Sequence, residues 1–245
     1  MRDESHRALG CMADEQASKG THARFSEVTS TKLVADRTAA IYSAQKAAFE
    51  SSEIRNIVTL AHWPGELRDD QKAFALSPLA KDGVAPFATD RPTLFTRPEN
   101  LLRVVQFLRS DSAFQLDFLL DLTAVDLLGS PREQDNTENL GKRFQVVYLL
   151  RSMLPERRAA SLRLCVPVDE NEEVPSLIDL YSGANWPERE VFDLMGIRFS
   201  GHPNLSHIVL PDNYRGHPLR KDFPVKGIGE DYLIEDLLYK RRNVD

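Results

Sequence analysis

Apolar and polar positions change rhythm several times along the chain, and each change marks an expected element. Residues 1–30 are polar, with Gly10, Ser18, Gly20 and Thr21 among charges of both signs and no apolar period. Such a stretch cannot offset the entropy of ordering, so it reads as a flexible leader. From Leu33 to Leu60 the residues Val34, Ile41, Ala44, Ala48 and Phe49 recur at helical spacing, which predicts a helix. Between Trp63 and Pro98, five prolines (Pro64, Pro78, Pro86, Pro92, Pro98) with Gly65 and Gly83 predict loops around a short extended piece, Thr93-Leu94-Phe95. Residues 31–97 therefore form an N-terminal helix and a proline-rich region of unassigned fold.

The pattern sharpens at Pro98-Glu99-Asn100. Leu101, Leu102, Val105 and Leu108 follow at helical spacing, with proline in the first turn where its missing N–H costs least, predicting a helix that ends near Ser110. Three strand-like runs come next: Phe118 to Val125, Arg143 to Leu150 and Leu162 to Val168. Phe144, Val146, Tyr148 and Leu150 share one face. Leu162, Leu164 and Val166 alternate with Ser161, Arg163 and Cys165. The runs predict an antiparallel meander with one face packed on helices and the other partly covered. After Pro175 the residues Ser176 to Tyr181 read as helical, and "ANWPEREVFDLMG" reads as a further helix. There Asn185 stands at the N-cap position with Glu188 three residues on, Pro187 lies in the first turn, and Gly196 is placed to end the helix left-handed.

Beyond Gly196 the chain carries Pro203, Pro211, Pro218 and Pro224 and neither period, yet Ile197, Phe199, Leu205, Ile208, Val209 and Leu210 supply apolar anchors. Long segments without regular structure are uncommon inside compact domains. Residues 197–245 are expected to form an extended arm lying on another protein, ending in a solvated basic tip, Lys240-Arg241-Arg242. The fold class is α+β: a small mixed or antiparallel sheet in residues 98–196 with helices on one face, followed by the proline-punctuated arm.

The helix at 185–196 carries the densest charge. Counted at about 100° per residue, Val191, Phe192, Leu194 and Met195 form one apolar arc, with Arg189, Glu190 and Asp193 on the other side. Arg189 and Asp193, four apart, can pair on a solvated surface. Glu188 falls inside the apolar arc. Two readings stay open for it: a helix cap favoured by the dipole, or a partly buried carboxylate paired with Arg198 or Arg220. Acid–base catalysis by these carboxylates would need a cleft and a substrate-holding loop, and the sequence offers neither.

Composition narrows the remaining chemistry. A net charge of −6 lacks the basic excess that binds nucleic acid. The two cysteines, Cys11 and Cys165, form no CxxC and fit a reducing compartment. No run reaches the roughly 20 apolar residues that cross a bilayer, and the acidic residues near the start argue against a transit peptide. The chain is read as soluble and not exported. His202, His207 and His217 are spaced by five and ten, which matches no compact zinc signature; turn-fixing is preferred for them. A metal-dependent hydrolase built from these histidines and Glu188 remains the competing enzymatic reading. No GxGxxG, Walker loop or GxSxG is present.

The runs Asp121-Leu122-Thr123-Ala124-Val125-Asp126, Arg143-Phe144-Gln145-Val146-Val147-Tyr148, Val174-Pro175-Ser176, "ANWPEREVFDLMGIRFSGHPNLSHIVLPD" and "GHPLRKDFP" resemble the C-type subunit of respiratory complex I. This is the 30-kilodalton-class subunit of NADH:quinone oxidoreductase, and the resemblance spans about Pro98 to Pro224. It implies a non-catalytic structural subunit of the peripheral arm that docks onto the D-type, 49-kilodalton-class subunit of the quinone site, beside the cluster-bearing B-type subunit. It implies no cofactor on this chain, while FMN, iron–sulfur clusters, NADH and quinone belong to the complex as a whole. Contact with the membrane would be indirect, through the complex, on the cytoplasmic side of a bacterial inner membrane, or on the matrix side if organelle-encoded. An adaptor in a hydrogenase-type complex is the alternative within the family. The resemblance carries partner-binding roles to Glu188, Arg189, Glu190, Asp193, Phe199, His202, Pro203, His217, Pro218, Arg220, Lys221 and Asp222. Position 207 is usually basic in the family, commonly arginine, and is His207 here.

Overall fold

A computed structural model describes residues 38–64, 91–130, 140–156 and 161–228. The expected leader, most of the proline-rich stretch and the basic tip lie outside them. Residues 38–50 are helical (α1). The helix expected as far as Leu60 stops here, because Ser51 and Ser52 turn their hydroxyls back onto the carbonyls of Ala48 and Phe49. The chain then passes through a 3₁₀ turn, Glu53–Asn56, into a strand, β1 (Val58–His62).

The expected extended piece is β2 (Thr93–Thr96), buried along its whole length. A 3₁₀ turn, Pro98–Asn100, feeds α2 (Leu101–Ser110), which buries Leu101, Val104, Val105 and Leu108. The meander follows as β3 (Phe118–Asp126), β4 (Phe144–Arg151) and β5 (Ser161–Val168). These strands pair antiparallel in sequence, while β2 joins β5 in parallel and β1 joins β2 antiparallel. The resulting five-stranded mixed sheet has the order β1-β2-β5-β4-β3.

Register explains the core. Leu94, Leu164, Tyr148 and Leu122 stand abreast across four strands, as do Val166 and Val146 beside them. These residues are buried in one cluster with Phe144, Leu150 and Leu162 and with the inward side chains of α2. Burying one such leucine contributes about 1.5–3 kcal/mol.

Ser176 to Tyr181 form a turn and not a helix. Its amides at Leu180 and Tyr181 both donate to the Leu177 carbonyl, and the Leu177 amide is taken by a side chain described below. A 3₁₀ turn, Ser182–Ala184, runs directly into α3 (Asn185–Met195). Asn185 is consequently already helical, and no side chain caps α3. Gly196 does end it, at φ 75° and ψ 21°. Two short strands, β6 (Glu173–Pro175) and β7 (Arg198–Ser200), pair in parallel on either side of α3 in sequence. From Gly201 to Ile228 the arm has turns and bends only.

Gly196 shows how tightly the arm sits. A Cβ there would run into His217 Nε2 and lie 2.7 Å from Arg220 Nη2. Gly196→Ala is therefore expected to lose about 2–4 kcal/mol, from left-handed strain plus displacement of both side chains. Chemical denaturation reads the loss directly, and a change below about 0.5 kcal/mol would contradict the arm's close seating.

Candidate functional site: a charged helix clasped by its own arm

Three charges of α3, Glu188, Arg189 and Asp193, bond to neighbouring loops on two sides. Glu188 is fully buried. Its Oε2 accepts from Ser176 Oγ at 2.6 Å and its Oε1 from the Leu177 amide at 2.8 Å. Neither Arg198 nor Arg220 pairs with it, and it caps nothing on its own helix; it instead holds the turn after β6. Burial pushes its carboxyl up, and the two bonds together with the nearby His202 offset this only in part. Tyr148, also buried, is raised well above the usual phenol range by burial and by Glu188.

The opposite side holds the arm. The pattern of α3 alone puts Asp193 on a solvated face with Arg189, but it is fully buried. Its Oδ2 accepts from the amides of Ile208, Val209 and Leu210 at 3.0, 2.7 and 3.0 Å. Its Oδ1 accepts from His207 Nδ1 at 2.6 Å. Three successive N–H groups around one carboxylate oxygen form an anion nest built by the arm for a side chain of its own helix. Burial pushes the Asp193 carboxyl up, but His207 and the amides outweigh it and hold it at about 2. Arg189, one turn earlier, donates to the Ser206 carbonyl and hydroxyl and to the His207 carbonyl, and stacks over Trp186. A helical projection contains only the residues of α3. The arm returns over the polar arc and buries it.

The arm's far end is clamped as well. His217 Nδ1 donates to the Asp193 carbonyl, Arg220 Nε to the Met195 carbonyl, and the Leu219 amide to the Leu194 carbonyl. Asp222 meets Arg143, which also binds the buried Asp126 through two nitrogens and pairs with Glu170. The Lys221 amide donates to Asp126 as well. Burial would raise the Asp126 carboxyl, yet Arg143 and the Lys221 and Leu128 amides lower it. Arg143 and Arg220 both lie over the Phe144 ring, at 4.8 and 5.2 Å.

The histidines are not brought together. His207 serves Asp193, His217 a carbonyl, and His202 accepts from the Asn204 amide while its Nε2 faces the Asn185 carbonyl. Among the described residues no group of three or more His, Cys, Asp and Glu is placed to hold a metal. No described helix is long and apolar enough to cross a membrane.

Of the residues expected to bind a partner, Glu188, Asp193 and Phe199 are buried within the chain. Arg189, His202, His217, Pro218 and Arg220 are half-buried, the four side chains other than Pro218 bonding to the chain itself. Glu190, Pro203, Lys221 and Asp222 are exposed. Exposed apolar residues of α3 and the arm lie outside the expected site: Trp186 (63% exposed), Val209 (60%) and Leu219 (57%), with Val225 and Ile228 beyond the far clamp. The surrounding charges mask them in the sequence; a tryptophan in the first turn of a charged helix is the one signal that points to them.

The sequence model of a family described as "Respiratory-chain NADH dehydrogenase, 30 Kd subunit" matches residues 94–228, more than half of the chain. The chain belongs to this family. A relative from Ruegeria sp. (strain TM1040), named as the C-type subunit of NADH-quinone oxidoreductase, is 46% identical over 134 residues, 55% of this chain and 60% of that protein. Another of the same name, from Roseiflexus sp. (strain RS-1), is 45% identical over 144 residues, 58% of this chain and 75% of that protein. The chain thus spans 60% of the length of the Ruegeria protein. A solved structure, the trypsin-resistant fragment of Nqo5, is 27% identical, covers 55% of this chain and 99% of that one, and gives a TM-score of 0.42. The matched range begins at β2 and ends with the described arm, so the 30 kDa-family region contains α3, the anion nest and both clamps.

Glu188 and Asp193 carry opposite pH signatures. The raised Glu188 carboxyl costs stability as pH climbs from its ordinary 4.5 towards the folded value. Glu188→Gln keeps an acceptor for Ser176 or Leu177 and removes the buried charge. Its stability relative to the parent is expected to rise as pH increases through 4.5, checked by thermal melts from pH 4 to pH 8, about the range where carboxylates and histidines titrate. A difference independent of pH would contradict the buried, charge-penalised carboxylate.

Proposed function

We propose that the chain is a non-catalytic structural subunit of the peripheral arm of NADH:quinone oxidoreductase, docking onto the D-type subunit of the quinone site and supporting electron transfer from NADH to quinone. Family membership supports the complex. One structural observation supports the docking role: Arg189 and Asp193 of α3 and His207, His217 and Arg220 of the arm bond between the two segments, while Trp186, Val209 and Leu219 stay exposed beside them. Trp186 opens α3, Val209 is fixed by Asp193, and Leu219 is fixed by Leu194. Rigid, exposed apolar anchors rimmed by charge are what a stable subunit interface buries.

Flavin, clusters and nucleotide belong on this reading to other subunits. An iron–sulfur cluster is usually held by four thiolates, and this chain has two cysteines. The subunit would reach the membrane only through the complex, at the cytoplasmic face of a bacterial inner membrane; the relatives named above are bacterial.

The test is co-purification from cells carrying a tagged chain. The unaltered chain should bring down the quinone-site subunit, and the purified chain alone should not reduce quinone with NADH. Trp186→Ala with Leu219→Ala should weaken capture by roughly 30-fold or more, as loss of an interface anchor does, with an unchanged melting temperature. Undiminished capture, or quinone reduction by the isolated chain, would overturn the reading.

A further inference from the structure

Among the described residues β3 is the last strand of the sheet, and no described strand pairs with its outer edge. The ladder decides which backbone groups face that edge. The Leu127 amide donates to the Arg143 carbonyl directly opposite, and hydrogen-bonded residues in an antiparallel pair recur every second position. Val125, Thr123 and Asp121 therefore bond to β4, and Leu122 and Ala124 turn their backbone groups outward. The Leu122 amide agrees with this: it donates to its neighbour Asp121 Oδ1 at 2.9 Å and not to β4. Among the described residues, the Ala124 N–H and the carbonyls of Leu122 and Ala124 face that open edge.

That edge borders a cleft of about 190 Å³, lined by Asp121 to Ala124 on one side and by Glu190, Val191, Leu194 and Met195 of α3 on the other, with Leu219 at the rim. The two charged lining residues, Asp121 and Glu190, are both acidic. Glu190 has no partner among the described residues, and Lys221 lies beyond the lining, at Asp126. Phe118, Leu120 and Val125 of the same strand are exposed apolar residues. A bulge between Leu119 and Asp121 and the Asp126–Lys221 bond delimit the open edge at its two ends.

We propose that an extended segment of a neighbouring subunit adds to β3 at Ala124, with a lysine or arginine between Asp121 and Glu190 and apolar side chains against Leu194 and Leu219. Main-chain bonds give such strand addition its affinity, and the acidic pair with the apolar wall selects the sequence. The inference rests on the docking reading above and deepens it.

Hydrogen exchange on the native complex, captured through a tag on this chain, tests it. The Ala124 amide, followed in peptides spanning 118–126, should exchange roughly 100-fold more slowly in the complex than in the chain alone, as a newly made ladder bond dictates. Ala124→Pro deletes an outward N–H and no bond to β4, as edge strands tolerate; it should keep the parent's cooperative melt and lose that partner. Glu190→Lys should weaken capture about tenfold. A captured complex in which Ala124 exchanges as fast as in the free chain overturns strand addition while docking stands. Failure of the unaltered chain to enter any complex overturns both.

Discussion

Asp193→Ala is expected to destabilise the fold by about 3–5 kcal/mol, the loss that follows when one member of a buried, hydrogen-bonded charge pair is removed. The methyl group would leave the amides of Ile208, Val209 and Leu210 and the His207 ring without their acceptor. Unmet buried donors carry most of the penalty, at about 1–3 kcal/mol each before water enters. The arm should lift at 206–210, so limited proteolysis would cut there first, and the melting temperature should fall by about 2–4 °C per kcal/mol. The pH dependence has a definite sign. The Asp193 carboxyl is lowered from its ordinary 3.8 to about 2, so its contribution is complete above pH 3.8 and drains away as pH falls towards 2. In Asp193→Ala that acid-sensitive part should be missing. An acid-unfolding profile parallel to the parent's would count against the nest.

Arg143→Ala is expected to cost about 3 kcal/mol by the same reasoning about an orphaned buried partner. Asp126 is buried and would keep only the amides of Leu128 and Lys221. The guanidinium also leaves the Phe144 ring. Arg143→Lys should recover only part of the loss, since an ammonium cannot grip Asp126 with two nitrogens while reaching Asp222 and Glu170. Urea denaturation of the three proteins checks the order, and equal stability of the lysine and arginine forms would refute the forked clamp. Because this clamp and the nest hold different ends of the arm, the two alanine changes should be close to additive.

Much of the sheet is legible in the sequence. The alternation of Phe144, Val146, Tyr148 and Leu150 against Leu162, Leu164 and Val166 reports a one-sided core through its own period. The Pro98-Glu99-Asn100 start marks α2, and Gly196 marks the end of α3. What is not legible depends on segments distant in sequence. The burial of Asp193 is decided by residues 208–210, and that of Glu188 by Ser176 and Leu177; no local period contains either. β1 hides inside an overlong helical pattern because Ile57 and Val58 continue an apolar count that Ser51 and Ser52 have already broken. From Gly201 to Ile228 the arm lacks regular structure, as its prolines predict, whereas Arg198–Ser200 at its start forms β7. Of the arm's apolar anchors Ile197 and Phe199 are buried within the chain, and Asp193, Met195 and Asp126 bond it to its own helix and sheet, while Val209 and Leu219 stay exposed.

The parallel pairing of β2 with β5 sets an order of events during synthesis. Leu94 and Phe95 leave the ribosome well before Leu164 and Cys165, the residues they stand beside in the finished sheet. Until β5 arrives, β2, whose four residues are all buried in the finished sheet, and its companion β1 lack the strand they pack beside. Contacts between residues this far apart form late. The half-made chain therefore travels with its stickiest edge uncovered, and the β3–β4–β5 meander, once closed, is the template that receives it.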